Sequence, residues 1–309
     1  MTATTSSTHR TKPDYRLFPV DVHRVRRLGP SFARITFTGD CLRSFGAGGH
    51  DQRIKIVLPQ PGRTISDFPD GPDWYSAWLD MPDRIRPVLR TYTVRAHRPE
   101  TAELDIDFVL HGVDSGTSGP ASNWAAATTP GDHIGLLGPD RPGSGRLWGC
   151  EWAPPDTARD LVLAADETAV PAVAAILESL PDTARGIACL EVPEHRDRQD
   201  WNCPPGIEVR WFYRDDHGTE HGALLEPALL EAVRELQPHR PGDGAPLDDI
   251  DVDSGALWEV PDDVPRGQLY GWLAGEAGVI KRLRRVLVSD RGLPRESVAF
   301  MGYWRHGRS

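Results

Sequence analysis

Lysine is almost missing from this chain. Among its 35 basic residues only Lys12, Lys55 and Lys281 are lysines, against 45 acidic residues. The resulting formal net charge of -10 argues against nucleic acid, whose recognition needs a basic footprint, and gives no hint of attraction to a membrane surface. The skew from Lys to Arg reads as codon bias. Cysteine is equally scarce: Cys41, Cys150, Cys189 and Cys203 stand apart, without a Cys-x-x-Cys pair or a neighbouring His. That spacing removes structural zinc and iron–sulfur ligation, and no protein metal ligands are expected. No apolar run approaches the roughly 20 residues that span a bilayer. Residues 1–13 are Ser/Thr-rich with no apolar core, neither a secretory signal nor an anchor. They are expected to be disordered and the protein cytoplasmic, without membrane insertion. A Gly-x-Gly-x-x-Gly is also missing, so the usual dinucleotide fingerprint cannot be invoked.

What is present divides in two. A chain of 309 residues with 39% hydrophobic content exceeds one ordinary domain and can build two real cores. Residues 14–140 are β-rich, with candidate strands at Val20–Arg27, Ala33–Thr38, Arg53–Leu58, Leu89–Ala96, Glu103–Leu110 and His133–Leu137, separated by Gly, Pro and Asp. Six short strands with little helix between them predict a closed six-stranded antiparallel barrel. The long gap Pro59–Pro87 holds Trp74, Tyr75 and Trp78 and reads as an ordered lid or loop over the barrel mouth.

A Pro/Gly-rich linker over 141–158 leads to a different pattern. Within 159–309, apolar runs at Leu161–Ala165, Gly186–Val192, Ile207–Tyr213, Leu269–Ala274 and Val298–Tyr303 alternate with helical patterns at Pro171–Leu180, Gly222–Leu236 and Ala277–Val288. This alternation predicts a doubly wound, parallel-sheet α/β domain. An acidic stretch over 239–266 reads as a solvated loop, because the ligand order of an EF-hand is absent.

Three clusters carry candidate chemistry. In Val88–Arg95 strand alternation puts Arg90 and Tyr92 on one face: a phosphate fork beside a flat ring, with the hydroxyl of Thr93 close by. An ordinary solvated pair is the competing reading. In Gly119–Ala126 a helix start exposes backbone N–H groups, and Ser122 adds a hydroxyl; this is an anion site or a plain cap. Asp107, Val109 and His111 share a strand face that leads into the same loop.

A β-barrel carrying Arg-x-Tyr-Thr and a Gly-x-x-Ser helix start, joined to a parallel α/β domain, resembles the ferredoxin-reductase type of flavoprotein. Finer features resemble the siderophore-interacting protein family of ferric-siderophore reductases. They are Arg90-Thr91-Tyr92-Thr93-Val94-Arg95, Asp107-Phe108-Val109-Leu110-His111 and Gly119-Pro120-Ala121-Ser122-Asn123-Trp124, then Ala165-Asp166-Glu167-Thr168-Ala169-Val170-Pro171-Ala172, Trp272-Leu273-Ala274-Gly275-Glu276 and Gly302-Tyr303-Trp304-Arg305.

The resemblance implies FAD bound across the barrel, with Arg90, Thr91, Tyr92 and Thr93 around the flavin and its phosphates. It places Asp107, Val109 and His111 on the adenosine side and Ala121, Ser122 and Trp124 at the pyrophosphate. Asp166, Thr168 and Ala169 would face the flavin where nicotinamide stacks, Glu276 and Lys281 open the last helix, and Trp304 would cover the isoalloxazine. The implied reaction takes electrons from NADPH or NADH through FAD to a ferric siderophore, in a monomer, with no catalytic acid or base. Two alternatives stay open: a flavin reductase serving another carrier or using a ferredoxin-type donor, and a non-catalytic siderophore-binding protein. Arg26, Arg27, Arg53, Lys55, Arg84 and Arg86 are candidates for a cationic patch at the mouth.

Overall fold

The computed structural model describes residues 15–69, 71, 73–113, 116–140, 149–237, 257–261 and 268–307. The N-terminal segment expected to be disordered, most of the expected linker and nearly all of the acidic stretch lie outside them. The first unit is one antiparallel sheet of β1 (Tyr15–Arg27), β2 (Phe32–Thr38), β3 (Arg53–Leu58), β4 (Val88–Thr93), β5 (Ala96–Arg98), β6 (Glu103–Val109) and β7 (His133–Pro139), in the order β4-β3-β7-β1-β2-β6-β5. Alternation drives its curl into a half-barrel. Phe18, Val20, Ile35, Phe37, Ile54, Ile56, Leu104, Ile106 and Phe108 share one buried core, and the other face is left for further contacts. Tyr92 on edge strand β4 meets Phe108 on β6 with ring centroids 4.4 Å apart, joining the two limbs of the curl.

The sheet has seven strands where the sequence predicted six. The run expected over Leu89–Ala96 leaves β3 after Thr93, buries Val94 and Arg95, and resumes as β5 against β6. The aromatic gap is not a lid over the mouth. Its helix α1 (Trp74–Leu79) brings Trp74 and Trp78 over Val57, Leu137 and Leu17, which project from the outer face of the sheet and need an apolar cover. Helix α2 (Pro120–Ala127) connects β6 to β7.

The second unit contains β8 (Asp160–Asp166), α3 (Val170–Ser179), β9 (Arg185–Val192), β10 (Gly206–Tyr213), α4 (Arg214–His217), α5 (Leu225–Leu236), β11 (Trp258–Glu259), β12 (Leu269–Glu276), α6 (Ala277–Arg285) and β13 (Val298–Trp304). The strand order is β10-β9-β8-β12-β13-β11, parallel except for β11, which runs antiparallel to β13. Leu161, Leu163 and Ala165 of β8 pack with α3, while Val162 and Ala164 face the core shared with α5 and α6. Strands buried on both faces must be apolar throughout, which explains the continuous run. No described helix is long and apolar enough to cross a membrane.

Buried polar pins join the units. The Asp51 carboxylate is fully buried and accepts hydrogen bonds from the backbone N–H of Glu151 and Trp152 and from Trp272 Nε1. Arg95 makes a two-pronged bond to Glu178 of α3, at 2.6 and 2.8 Å. Phe32 and Val109 extend the core of the second unit into the first, so the two sheets meet along a seam that is partly apolar.

Candidate functional site

At this seam lies a cleft of about 1000 Å³, lined from one side by β4, the end of β6 and the start of α2, and from the other by Thr168, Pro171, Trp258 and the residues from Gly302 to Gly307. Because β4 is an edge strand, both of its faces reach the cleft: Leu89, Arg90, Thr91, Tyr92 and Thr93 all line it. Arg90 Nη1 donates to its neighbour's carbonyl, Leu89 O, at 2.9 Å, and it pairs with none of the described carboxylates. Burial pushes the Tyr92 phenol far above its ordinary value, so its hydroxyl stays neutral and its ring acts as a flat wall.

The start of α2 supplies anion donors. Asn123 N–H already closes on Gly119 O, whereas the N–H groups of Ala121 and Ser122, both lining residues, belong to the first turn that has no intrahelical acceptor. The Ser122 hydroxyl is spent differently from the sequence expectation: it donates to Val109 O at 2.9 Å and ties α2 to β6. Trp124 does not line the cleft. It packs against the core of the first unit instead, where it stacks on Phe37 at 6.2 Å and 11°.

Asp107, Val109 and His111 reach the cleft, but the Asp107 carboxylate is committed. Arg34 Nε and Nη2 donate to it at 2.6 and 2.7 Å, with Arg95 3.8 Å away. His111 crosses toward the second unit, with Nδ1 3.6 Å from Glu167 Oε1 and its ring 5.2 Å from that of Trp304. Burial pushes its imidazole below the ordinary value despite the carboxylates of Glu167 and Asp166. Gly112 follows at φ 64°, and a Cβ there would meet Thr117 Oγ1 at 2.5 Å; only glycine lets the chain double back under the cleft.

The second unit contributes Thr168 and Trp304 to the wall but not Asp166, Ala169 or Glu276. Asp166 is fully buried and its oxygens are saturated by Thr168, Glu276 N and Trp304 Nε1. Ala169, also fully buried, sits at the start of α3, and Glu276 caps α6 by accepting from Val279 N at 2.8 Å. Asp166, Glu167 and His221 bring possible ligand atoms within 4.8 Å of one another. Arg214 nevertheless chelates Glu167 at 2.7 and 2.8 Å, so a fixed guanidinium takes the place a cation would need.

Of the six cations expected at the mouth, Arg53 lines the cleft, paired with Glu151 at 3.1 Å and lying 4.0 Å over the Trp258 ring. Lys55 stands next to it, donating to Thr91 Oγ1 at 3.2 Å. Arg86 is spent on Asp83 and on the carbonyls of Leu79 and Met81. Arg26, Arg27 and Arg84 are exposed and do not line the cleft. Sequence reasoning missed Trp258, which β11 delivers beside Tyr303. Leu257 and Trp258 are an apolar pair inside an acidic stretch, and that pair was the available signal.

Cleft size, the unspent N–H groups of α2, the free Arg90 fork and the Tyr92 ring fit a flavin dinucleotide. Comparison with known proteins agrees. Residues 21–143 match the siderophore-interacting FAD-binding domain and residues 158–307 the siderophore-interacting protein model. The chain is 28% identical over 298 residues to the ferric vibriobactin reductase ViuB of Vibrio cholerae, covering 95% of this chain and 92% of that protein. It is 26% identical to the NADPH-dependent ferric-chelate reductase of Escherichia coli, covering 96% and 95%. The crystal structure of the siderophore-interacting protein SipS from Aeromonas hydrophila superposes with a TM-score of 0.64 at 31% identity, covering 95% and 93% of the two chains. With a ferredoxin-reductase-like fold and both family models in register along it, the chain belongs to the siderophore-interacting protein family.

Proposed function

We propose that this protein is an FAD-dependent ferric-siderophore reductase driven by NADPH or NADH. The observation that carries the reading is the convergence of Arg90, Tyr92 and the open N–H groups of Ala121 and Ser122 on one cleft. When bound, FAD supplies hydride acceptance from the nicotinamide and single-electron delivery to Fe(III). The chain binds and orients. Arg90 and the α2 start hold phosphates, Tyr92 and Thr93 pack against the flavin, and Thr168 and Trp304 form the opposite wall where the donor approaches. Ferric siderophore is substrate, and reduction weakens the hold of its hard oxygen ligands on iron, so no protein ligand for iron is required.

In this reading 14–140 is the FAD-binding domain, 141–158 the connection and 159–309 a doubly wound donor domain, working as a cytoplasmic monomer. The saturation of Asp166 and Glu276 at the strand ends, where an open parallel sheet ordinarily meets its ligand, favours a ferredoxin-type donor as the second reading. Purified protein is expected to be yellow with FAD, to bleach anaerobically with NADPH or NADH, and to release Fe(II) to a colorimetric chelator. A colourless protein that takes up no FAD sinks the reductase and leaves a siderophore-binding protein. FAD binding without bleaching by either nucleotide selects the ferredoxin-type donor.

A further inference from the structure

Asp166 ends β8 as a fully buried carboxylate at the junction of three strands. Oδ1 accepts from Thr168 N at 2.9 Å and from the Thr168 hydroxyl. Oδ2 accepts from Glu276 N at 2.7 Å, at the end of β12, and from Trp304 Nε1 at 2.8 Å, at the end of β13. Two of these four bonds fix the side chains of Thr168 and Trp304, both of which line the cleft. The approach is so close that a Cβ on Gly275 would lie 2.7 Å from Oδ2.

A buried carboxylate needs a counter-charge. His221 Nε2 lies 3.3 Å from Asp166 Oδ2 and 3.5 Å from Glu167 Oε2, an ion-pair contact, and its ring meets the Trp304 ring edge-on at 5.1 Å. Burial opposes its charge, but the two carboxylates outweigh burial and push the imidazole up to about 10. The loop carrying His221 is held in turn by Glu191, which accepts from the N–H groups of Gly222, Leu224 and Leu225. Trp304 is thus gripped at its indole N–H by Asp166 and between the rings of His111 and His221.

We propose that Asp166 and His221 are positioning residues that clamp Trp304 and Thr168 as a rigid wall of the cleft, fixing where the reductant meets the flavin. The proposal rests on the reading of the cleft as the flavin site, but the clamp itself does not need flavin. Its first test therefore uses the full-length protein without FAD. The Trp304 indole N–H is assigned in a ¹H–¹⁵N spectrum by its loss in Trp304→Phe, then followed in Asp166→Asn and His221→Gln. Both substitutions are expected to shift and broaden that signal, His221→Gln with Asp166 still in place in case Asp166→Asn fails to fold.

In the FAD-loaded variants the FAD Kd is expected to stay within about threefold, while flavin bleaching by the donor slows by about tenfold or more, as misplacement of a contacting group does. A KM that holds while the limiting rate falls is the signature of positioning. An unmoved Trp304 signal in His221→Gln overturns the clamp. A moved signal with unchanged bleaching overturns its role in the reaction. Failure of wild-type protein to bind FAD removes the flavin reading and leaves the spectral arm to decide the clamp.

Discussion

The two walls of the cleft are built on opposite principles. On the first unit, donors are left unspent: Arg90 pairs with none of the described carboxylates, and the N–H groups of Ala121 and Ser122, two cleft-lining residues, have no intrahelical acceptor. At the strand ends of the second unit every acid is already answered from within: Asp166 by Thr168, Glu276 N and Trp304, Glu167 and Glu191 by Arg214, and Glu276 by Val279 N and His306 N. A wall of unspent donors binds a resident anion tightly. A wall backed by satisfied acids is rigid and offers a transient visitor shape more than hydrogen bonds.

The contrast breaks first at Arg90. Removing one charge-assisted bond to a phosphate costs about 1.5 to 3 kcal/mol, or more than tenfold in Kd. Arg90→Ala is therefore expected to lose FAD on gel filtration and to show that weakening by fluorescence titration, with its thermal midpoint in the absence of FAD unchanged. Full occupancy with an unaltered Kd would move the phosphates elsewhere in the cleft.

The same contrast explains which residues could be read in advance. Arg90, Tyr92, Thr93 and Ser122 were legible because strand alternation and the start of a helix set side-chain direction locally, whereas Thr168 and Trp304 were reached only through the family resemblance. Asp166, Ala169 and Glu276 were placed on the cleft by the resemblance, yet they do not line it: Asp166 is tied to Glu276 N and Trp304 Nε1 from β12 and β13, more than a hundred residues later in the chain, Ala169 is buried at the start of α3, and Glu276 caps α6. Ser122 was found for its hydroxyl, whereas that hydroxyl is spent on Val109 O and the backbone N–H is the donor left without an intrahelical acceptor. The two-unit architecture was legible from the change of hydrophobic period near residue 150. The break that creates β5 was not, since Val94 and Arg95 continue the β pattern and it is the carboxylates of Glu178 on α3 and Asp107 on β6 that explain why Arg95 is buried.

A smaller effect sharpens the satisfied wall. His221 is faced by Asp166 and Glu167 from β8 and its loop, with Arg214 on Glu167 and His111 across the seam. Its folded value of about 10 exceeds the ordinary 6.5, so folding favours the protonated form. The stability it lends is fully present below pH 6.5 or so and is lost as pH rises toward about 10. Thermal midpoints of wild type and His221→Gln, measured from pH 6 to pH 10.5, are expected to converge as pH rises. A gap that stays constant across that range would show that the imidazole is not charged in the folded protein.

The smallest expected effect concerns what the open wall offers a substrate. Six cations could have gathered at the mouth, but Arg53 is compensated by Glu151 and Arg86 is consumed in its own loop, which leaves Lys55 and Arg90 as the described basic groups without a carboxylate near β4. Burial and the neighbouring Arg53 lower the Lys55 ammonium below its ordinary value, a cost that an incoming anion would relieve. A field from so few charges, on a protein of net charge -10, steers weakly compared with the tenfold or greater rate gains of strongly focused clefts, roughly speaking. Screening acts over about 10 Å at 0.1 M salt. The kcat/KM for an anionic ferric catecholate is therefore expected to fall by a few-fold at most from about 0.01 to 0.3 M salt, and that for a neutral ferric hydroxamate to hold level. Lys55→Gln should flatten the catecholate curve without touching the hydroxamate one. Identical salt curves for both substrates in wild type would assign recognition to Trp258 and Tyr303 at the cleft edge, where stacking is indifferent to charge.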